Sequence, residues 1–227
     1  MPDDLVSTGP SYRLAAVAPR VRAYHASNTS VANNTWTPLD LDSESYDNDG
    51  QHFTSSANLT GTVSKTASSA TLTGSGTAFT TELSVGQVIS VPGGATEKRV
   101  VTAIASNTSL TVSANFANTA SGQTAARVNS TLVCRVAGVY VIGGAITWAS
   151  NATGLREAAV YLNDATFIGY EIRTPISGDK TTVLVTAEYQ LAAWDFVELR
   201  VRQNSGGALN AERQSDYSVI FAMHRIG

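Results

Sequence analysis

Cysteine, histidine, lysine and charge of either sign are all scarce in this chain. One cysteine, Cys134, occurs in 227 residues, which excludes an internal disulfide. It sits in an apolar run with no His or Asn motif beside it, so it reads as a small buried hydrophobe rather than a nucleophile. The three histidines, His25, His52 and His224, fall in no HExxH, HxH or Cys/His pattern of metal spacing. Three scattered histidines also argue against a cupin-type enzyme, which needs a cluster of them. No Gly-x-Ser-x-Gly elbow or P-loop is present, and Gly74-Ser75-Gly76 lacks the third glycine of a dinucleotide fingerprint. No enzymatic activity and no cofactor are expected.

Charged residues make up 15% of the chain, against about 25% in ordinary soluble domains. Fifteen Lys and Arg face 18 Asp and Glu, a net charge of −3, so no attraction to nucleic acid or anionic lipid is written here. No run nears the ~20 apolar residues of a membrane span. The first residues lack the apolar core of a signal peptide, and neither secretion nor membrane insertion is expected.

Ser, Thr, Asn and Ala take the place of charge, and nearly every periodic segment alternates with period two. Val21 and Ala23 oppose Arg22 and Tyr24, while Val197, Leu199 and Val201 oppose Glu198, Arg200 and Arg202. Further strands are expected at 157–163, 166–172, 181–190 and 216–225, separated by turns such as Asn163-Asp164 and Ser177-Gly178-Asp179. No amphipathic helix is visible, so the class is all-β, a sandwich or barrel. Residues 56–126 differ in texture: short Thr/Val/Ser strands, Gly turns, and no Trp or Tyr. They read as a small β-barrel-like domain inserted at a loop tip with its ends close together. The remainder divides into an arm, 1–20, and a discontinuous domain, 21–55 with 127–227.

The run 133–150, VCRVAGVYVIGGAITWAS, is apolar on both faces and carries a Gly-Gly pair. Such a strand needs cover on both sides: a sandwich core on one, and a second layer or another subunit on the other. Taken with VRAYHASNTSVANNTWTPLDLDSESYDNDGQHF, YQLAAWDFVELRVRQNSGGALN and SDYSVIFAMHRIG, the run resembles the jelly roll of the tumour necrosis factor superfamily. The branch is that of complement globular heads, in the version found in bacteriophage virion proteins. The likeness covers about 20–55 and 127–227. It implies a compact, ten-stranded, non-enzymatic homotrimer whose aromatic strand lines the three-fold axis. On that strand Tyr140, Ile142, Gly144, Ile146 and Trp148 are the expected interface. Trp194-Asp195 stands where many relatives have Gly-Asp, and the insertion lies outside the basic jelly roll.

The resemblance implies a virion structural protein, displayed on the particle surface after synthesis in the bacterial cytoplasm. It would decorate or cement the capsid or form a short head fibre, and residues 1–20 would hold it to other virion proteins. Alternatively it is a tail-fibre tip that recognises a host-surface glycan, with Trp36, Tyr46 and Trp194 as possible contacts. A carbohydrate-active enzyme on a β-sandwich would need a carboxylate pair in a cleft, drawn from Glu157, Glu171, Glu188 and Asp195. The acidic stretch Asp40, Asp42, Glu44, Asp47 and Asp49 ahead of Gly50 offers Asp47 and Asp49 as a calcium candidate, without the EF-hand pattern. The plainer reading of 47–50 is a turn.

Overall fold

Period-two alternation governs the computed structural model, which describes residues 18–215 and 217–226. Residues 1–17 of the expected arm lie outside the described residues. The first four strands are β1 (Arg20–Tyr24), β2 (Thr29–Val31), β3 (Thr37–Pro38) and β4 (Ser43–Asp47). Then come β5 (Ala57–Asn58), β6 (Thr62–Lys65), β7 (Thr71–Ser75), the four-residue helix α1 (Phe79–Glu82) and β8 (Val88–Val91). They are followed by β9 (Glu97–Ser106), β10 (Ser109–Val112), β11 (Ala120–Gln123) and β12 (Ala126–Arg127). The chain closes with β13 (Thr131–Val133), β14 (Gly138–Trp148), β15 (Arg156–Leu162) and β16 (Thr166–Arg173). Last are β17 (Thr181–Leu191), β18 (Phe196–Gln203), β19 (Leu209–Glu212) and β20 (Ile220–Arg225).

Two antiparallel sheets form the main body. In the first, β14 pairs along its whole length with β17 on one edge and shares its other edge between β20 and β19. β20 leads on to β1 and β4, and β19 leads on to β2. The second sheet runs β13-β18-β15-β16, with β3 also on β18. From β13 onward the chain passes to the first sheet at β14 and to the second at β15 and β16. It returns to the first at β17, crosses to the second at β18, and ends in the first. This is a jelly-roll β-sandwich, and the fold is all-β.

Inward positions of both sheets make one core, including Val21, Tyr140, Ile142, Trp148, Val160, Leu199, Val201 and Phe221. Each such side chain contributes roughly 1.5–3 kcal/mol by leaving water. Gly144 explains half of the Gly-Gly pair. A Cβ there would lie 2.7 Å from Leu199 Cδ1 of the facing sheet, so the space above Gly144 is already filled.

Residues 57–127 form their own curled eight-stranded sheet, in the order β11-β6-β7-β10-β9-β8-β12-β5. Its core gathers Leu72, Phe79, Ile89, Leu110 and Phe116. β5 pairs with β12, so the entering and leaving strands lie side by side. This sheet rests on the outside of the second sheet, where Val88 and Val100 pack against Val133 and Phe196. Beside that contact Lys98 forms an ion pair with the fully buried Glu198. Glu198 also accepts from Ser130 Oγ at 3.0 Å and Arg200 Nε at 3.0 Å, which compensates its loss of water.

Candidate functional site

Each sheet turns one face to solvent, and the two faces differ in chemistry. On the first sheet the expected interface set is placed differently from the sequence expectation. Tyr140, Ile142, Gly144, Ile146 and Trp148 point into the sandwich core and are buried within a single chain. Alternation separates two faces of a strand without saying which turns inward, and here the bulkier set fills the space between sheets. Tyr140 is accommodated because its hydroxyl donates to Val136 O at 2.7 Å; burial pushes its phenol pKa upward.

The outward face of β14 is Val139, Val141, Gly143 and Ala145. Its neighbours in register are Leu184 and Ile220 beside Ala145, and Thr186 and Ala222 beside Gly143. Around Gly143 and Ala145 these make an uncharged strip with a shallow groove of about 290 Å³, bounded by Arg22 on one side and, in register with Val141, by Glu188 and His224. Leu184 is 59% exposed, a large value for leucine.

The second sheet carries an aromatic cluster outside. Cross-strand register brings Glu157 between Ile172 and Arg202, and Tyr161 between Phe167 and Glu198. Pairing of β3 with β18 sets Trp36 next to Arg202. Trp36 meets Phe167 edge-on at 5.4 Å, Tyr161 at 6.1 Å and Tyr170 at 6.3 Å between ring centroids. The position of Phe167 depends on a β-bulge. Register slips by one residue between Val160 and Tyr161, so Phe167 and Tyr170 share the outer face while Ile168 packs against the core.

Glu157 anchors the floor of this cluster. It is 1% exposed and accepts Arg202 Nε at 2.9 Å, Arg202 Nη2 at 3.1 Å and the Tyr170 hydroxyl at 2.6 Å. That hydroxyl bond raises the phenol pKa of Tyr170 and keeps it protonated. The Arg202 guanidinium lies over the Trp36 ring at 5.4 Å, and that of Arg200 over Tyr161 at 4.2 Å. Trp36, Glu157, Phe167, Tyr170 and Arg202 line an open cavity of about 400 Å³.

The three aromatic residues expected to share a ligand are dispersed. Trp36 belongs to the cluster on the second sheet. Tyr46 lies in register with Arg22 at the far edge of the first sheet, under the Arg20 guanidinium at 5.5 Å. Trp194 sits at the junction with residues 57–127, under Arg135 at 4.9 Å. The calcium candidates are engaged in a turn: Asp47 accepts the backbone N–H of Asp49 at 3.1 Å and of His52 at 2.9 Å. Among the described residues no group of three His, Cys, Asp or Glu side chains could hold a metal ion.

The four carboxylates considered for hydrolysis sit on separate elements. Glu157 is committed to Arg202, Glu171 pairs with Arg173, and Glu188 lies in register with Val141 on the first sheet. Asp195 caps its own turn through Ala192 N and Asn163 Nδ2. Tyr161, Phe167, Tyr170 and Arg202 were not singled out in the sequence. The alternation of β15 and β18 points Tyr161 and Arg202 outward, and the isolated Gly169 inside β16, next to the extra residue Ile168, is the sequence mark of the bulge that turns Phe167.

No protein-family model and no curated protein matches the sequence. Among solved structures, the chain is similar to murine APRIL, crystallised at pH 5.0, with a TM-score of 0.35 and 10% identity. That similarity covers 62% of this chain and 98% of the other. Among the described residues no helix is long and apolar enough to cross a membrane.

Proposed function

We propose that the protein is a non-enzymatic structural component of a bacteriophage particle. It assembles as a homotrimer through the outer face of its first sheet and sits on the virion surface as capsid decoration or a short head fibre. One observation carries this reading: the uncharged strip of Gly143, Ala145, Leu184, Ile220 and Ala222, which a single chain leaves in water. Small residues let a second backbone approach closely, and depletion of charge marks the centre of an interface. The three-fold assembly and the virion placement rest on the sequence resemblance. The same β14 strand is used as that resemblance implies, through its opposite face.

Light scattering on the purified chain is expected to give three times 23.8 kDa. Ala222→Arg sets a long cation on the strip and is expected to give one times that mass without loss of the fold. A monomeric parent chain, or a trimeric variant, overturns the interface. Gold-labelled antibody should decorate virion heads, and absence of label from particles removes the virion role. The aromatic cluster on the second sheet favours a second reading, a tail-fibre tip that binds host glycan; label confined to tail tips would select it.

A further inference from the structure

The outer face of the second sheet combines features that a purely structural face does not need. Four aromatic rings lie against one another on three adjoining stretches of chain, and two of them, Phe167 and Tyr170, are 46% and 50% exposed. A β-bulge turns Phe167 into this group, and bulges recur where a strand must re-aim a side chain at a site. Residues 57–127 cover only the Val133 and Phe196 end of the face and leave the aromatic end open.

Charge chooses among possible occupants. Both cations at the cluster are already neutralised, Arg202 by Glu157 and Arg200 by Glu198 and Asp164. A polyanion therefore gains no unpaired cation here. Arg202 nevertheless keeps a donor: Nε and Nη2 are spent on Glu157, and Nη1 makes no hydrogen bond among the described residues. Its side chain is 34% exposed and lines the open cavity. The ligand that matches is apolar on its faces, rich in hydroxyls at its rim and uncharged. A pyranose has that distribution, with C–H bonds directed at a ring face and hydroxyls in the plane.

We propose that this face is a binding site for a neutral oligosaccharide, with a sugar ring stacked on the face of Tyr170, the near-perpendicular Phe167 ring walling its side, and its hydroxyls accepting from Arg202. The cavity of about 400 Å³ falls within the roughly 300–1,000 Å³ usual for small-ligand sites. Trp36 supports the stack from its edge, and the Glu157 carboxylate fixes both Arg202 and the Tyr170 hydroxyl. Little side-chain freedom is therefore lost on binding. The site is separate from the strip on the first sheet and does not depend on trimer formation or on position in a particle.

Calorimetric titration of the whole protein with chitohexaose, maltohexaose, cellohexaose and mannohexaose tests the site, with hexagalacturonate as the acidic comparison. At least one neutral hexaose is expected to bind. Phe167→Ala and Tyr170→Ala should each weaken it about tenfold, equal to about 1.4 kcal/mol. Tyr170→Phe, which keeps the ring, should stay within about twofold of the parent. Raising salt from ~0.05 to ~0.5 M should leave the neutral affinity nearly unchanged. The proposal is overturned by no heat with any neutral hexaose, by binding that both alanine variants retain, or by salt-sensitive binding of hexagalacturonate alone. A change of solution mass in the alanine variants also overturns it, because the face would then be a contact between proteins. Equal melting temperatures of parent and variants establish that the fold is intact.

Discussion

A methyl group added at Gly144 would lie 2.7–2.9 Å from the two methyls of Leu199, a fully buried side chain that would have to shift. Overpacking of that kind costs about 1–3 kcal/mol. Gly144→Ala is expected to lower the melting temperature by about 2–4 °C for each kcal/mol, measured by calorimetry. Gly143→Ala, one residue earlier and on the outward face, meets nothing nearer than 3.8 Å and should fold as the parent does. If both variants melt alike, close approach of the sheets is not what requires glycine at 144. Trp194 shows the opposite economy. Its φ of 72° is a conformation that favours glycine. The ring is retained against that cost by Arg135 above it and by Val88, Val100, Val133 and Phe196 around it.

Among the strands, β9 carries the most consequential ionisable group. Glu97 is buried, which by itself would raise its pKa. The backbone N–H of Ala117, the Lys65 ammonium and the Asn118 side chain outweigh burial and hold it at about 2. Lys65 is itself fully buried, donating to Glu97 at 2.9 Å and to the Val91 and Ala95 carbonyls. A carboxylate with a depressed folded pKa stabilises fully above its unfolded value of 4.5, and loses that contribution as pH falls toward about 2. The shift corresponds to about 3 kcal/mol. Denaturant melts of the whole protein are expected to show residues 57–127 losing about that much stability between pH ~5 and ~2. Glu97→Gln should flatten the slope over this window; an unchanged slope would assign acid sensitivity to other carboxylates. Strand β16 differs in kind, since its bulge contributes the placement of Phe167 and hence the geometry of the proposed saccharide site.

Across the molecule, polar connections and an apolar contact together set how residues 57–127 stand on the jelly roll. Lys98 reaches Glu198, Arg135 Nη1 donates to Val85 O at 2.9 Å, and Val88 and Val100 cover Phe196. Lys98→Met leaves Glu198 with Ser130 and Arg200 but removes one charged partner, a loss of about 1–3 kcal/mol. The amides of β8 and β9 should then exchange faster with deuterium, while those of β14 and β17 keep their protection. Uniform acceleration in all four strands would mean that the contact stabilises the whole chain rather than the junction. Light scattering on Ala222→Arg addresses the other side of the molecule, and the two tests are independent because they touch opposite sheets.

The all-β class, most strand positions, the distinct texture of 56–126 and the burial of Cys134 were legible in the order of residues. Period-two alternation and turn chemistry are local properties, and strands report them directly. Alternation also separated the two faces of β14, and it placed Val197, Leu199 and Val201 on one side of β18. Direction was a different matter. Which face of β14 turns inward depends on how Tyr140 and Trp148 fill the space opposite Leu199, a matter of packing between segments distant in sequence. The cluster of Trp36, Tyr161, Phe167 and Tyr170 arises from the pairing of β3 with β18, which has no composition signature, and from a one-residue slip in β16, which Gly169 marks without saying which side chain it re-aims. Local periodicity comes from the chain alone, whereas assembly of a site from four separate segments needs the register and layer contacts that only folding establishes.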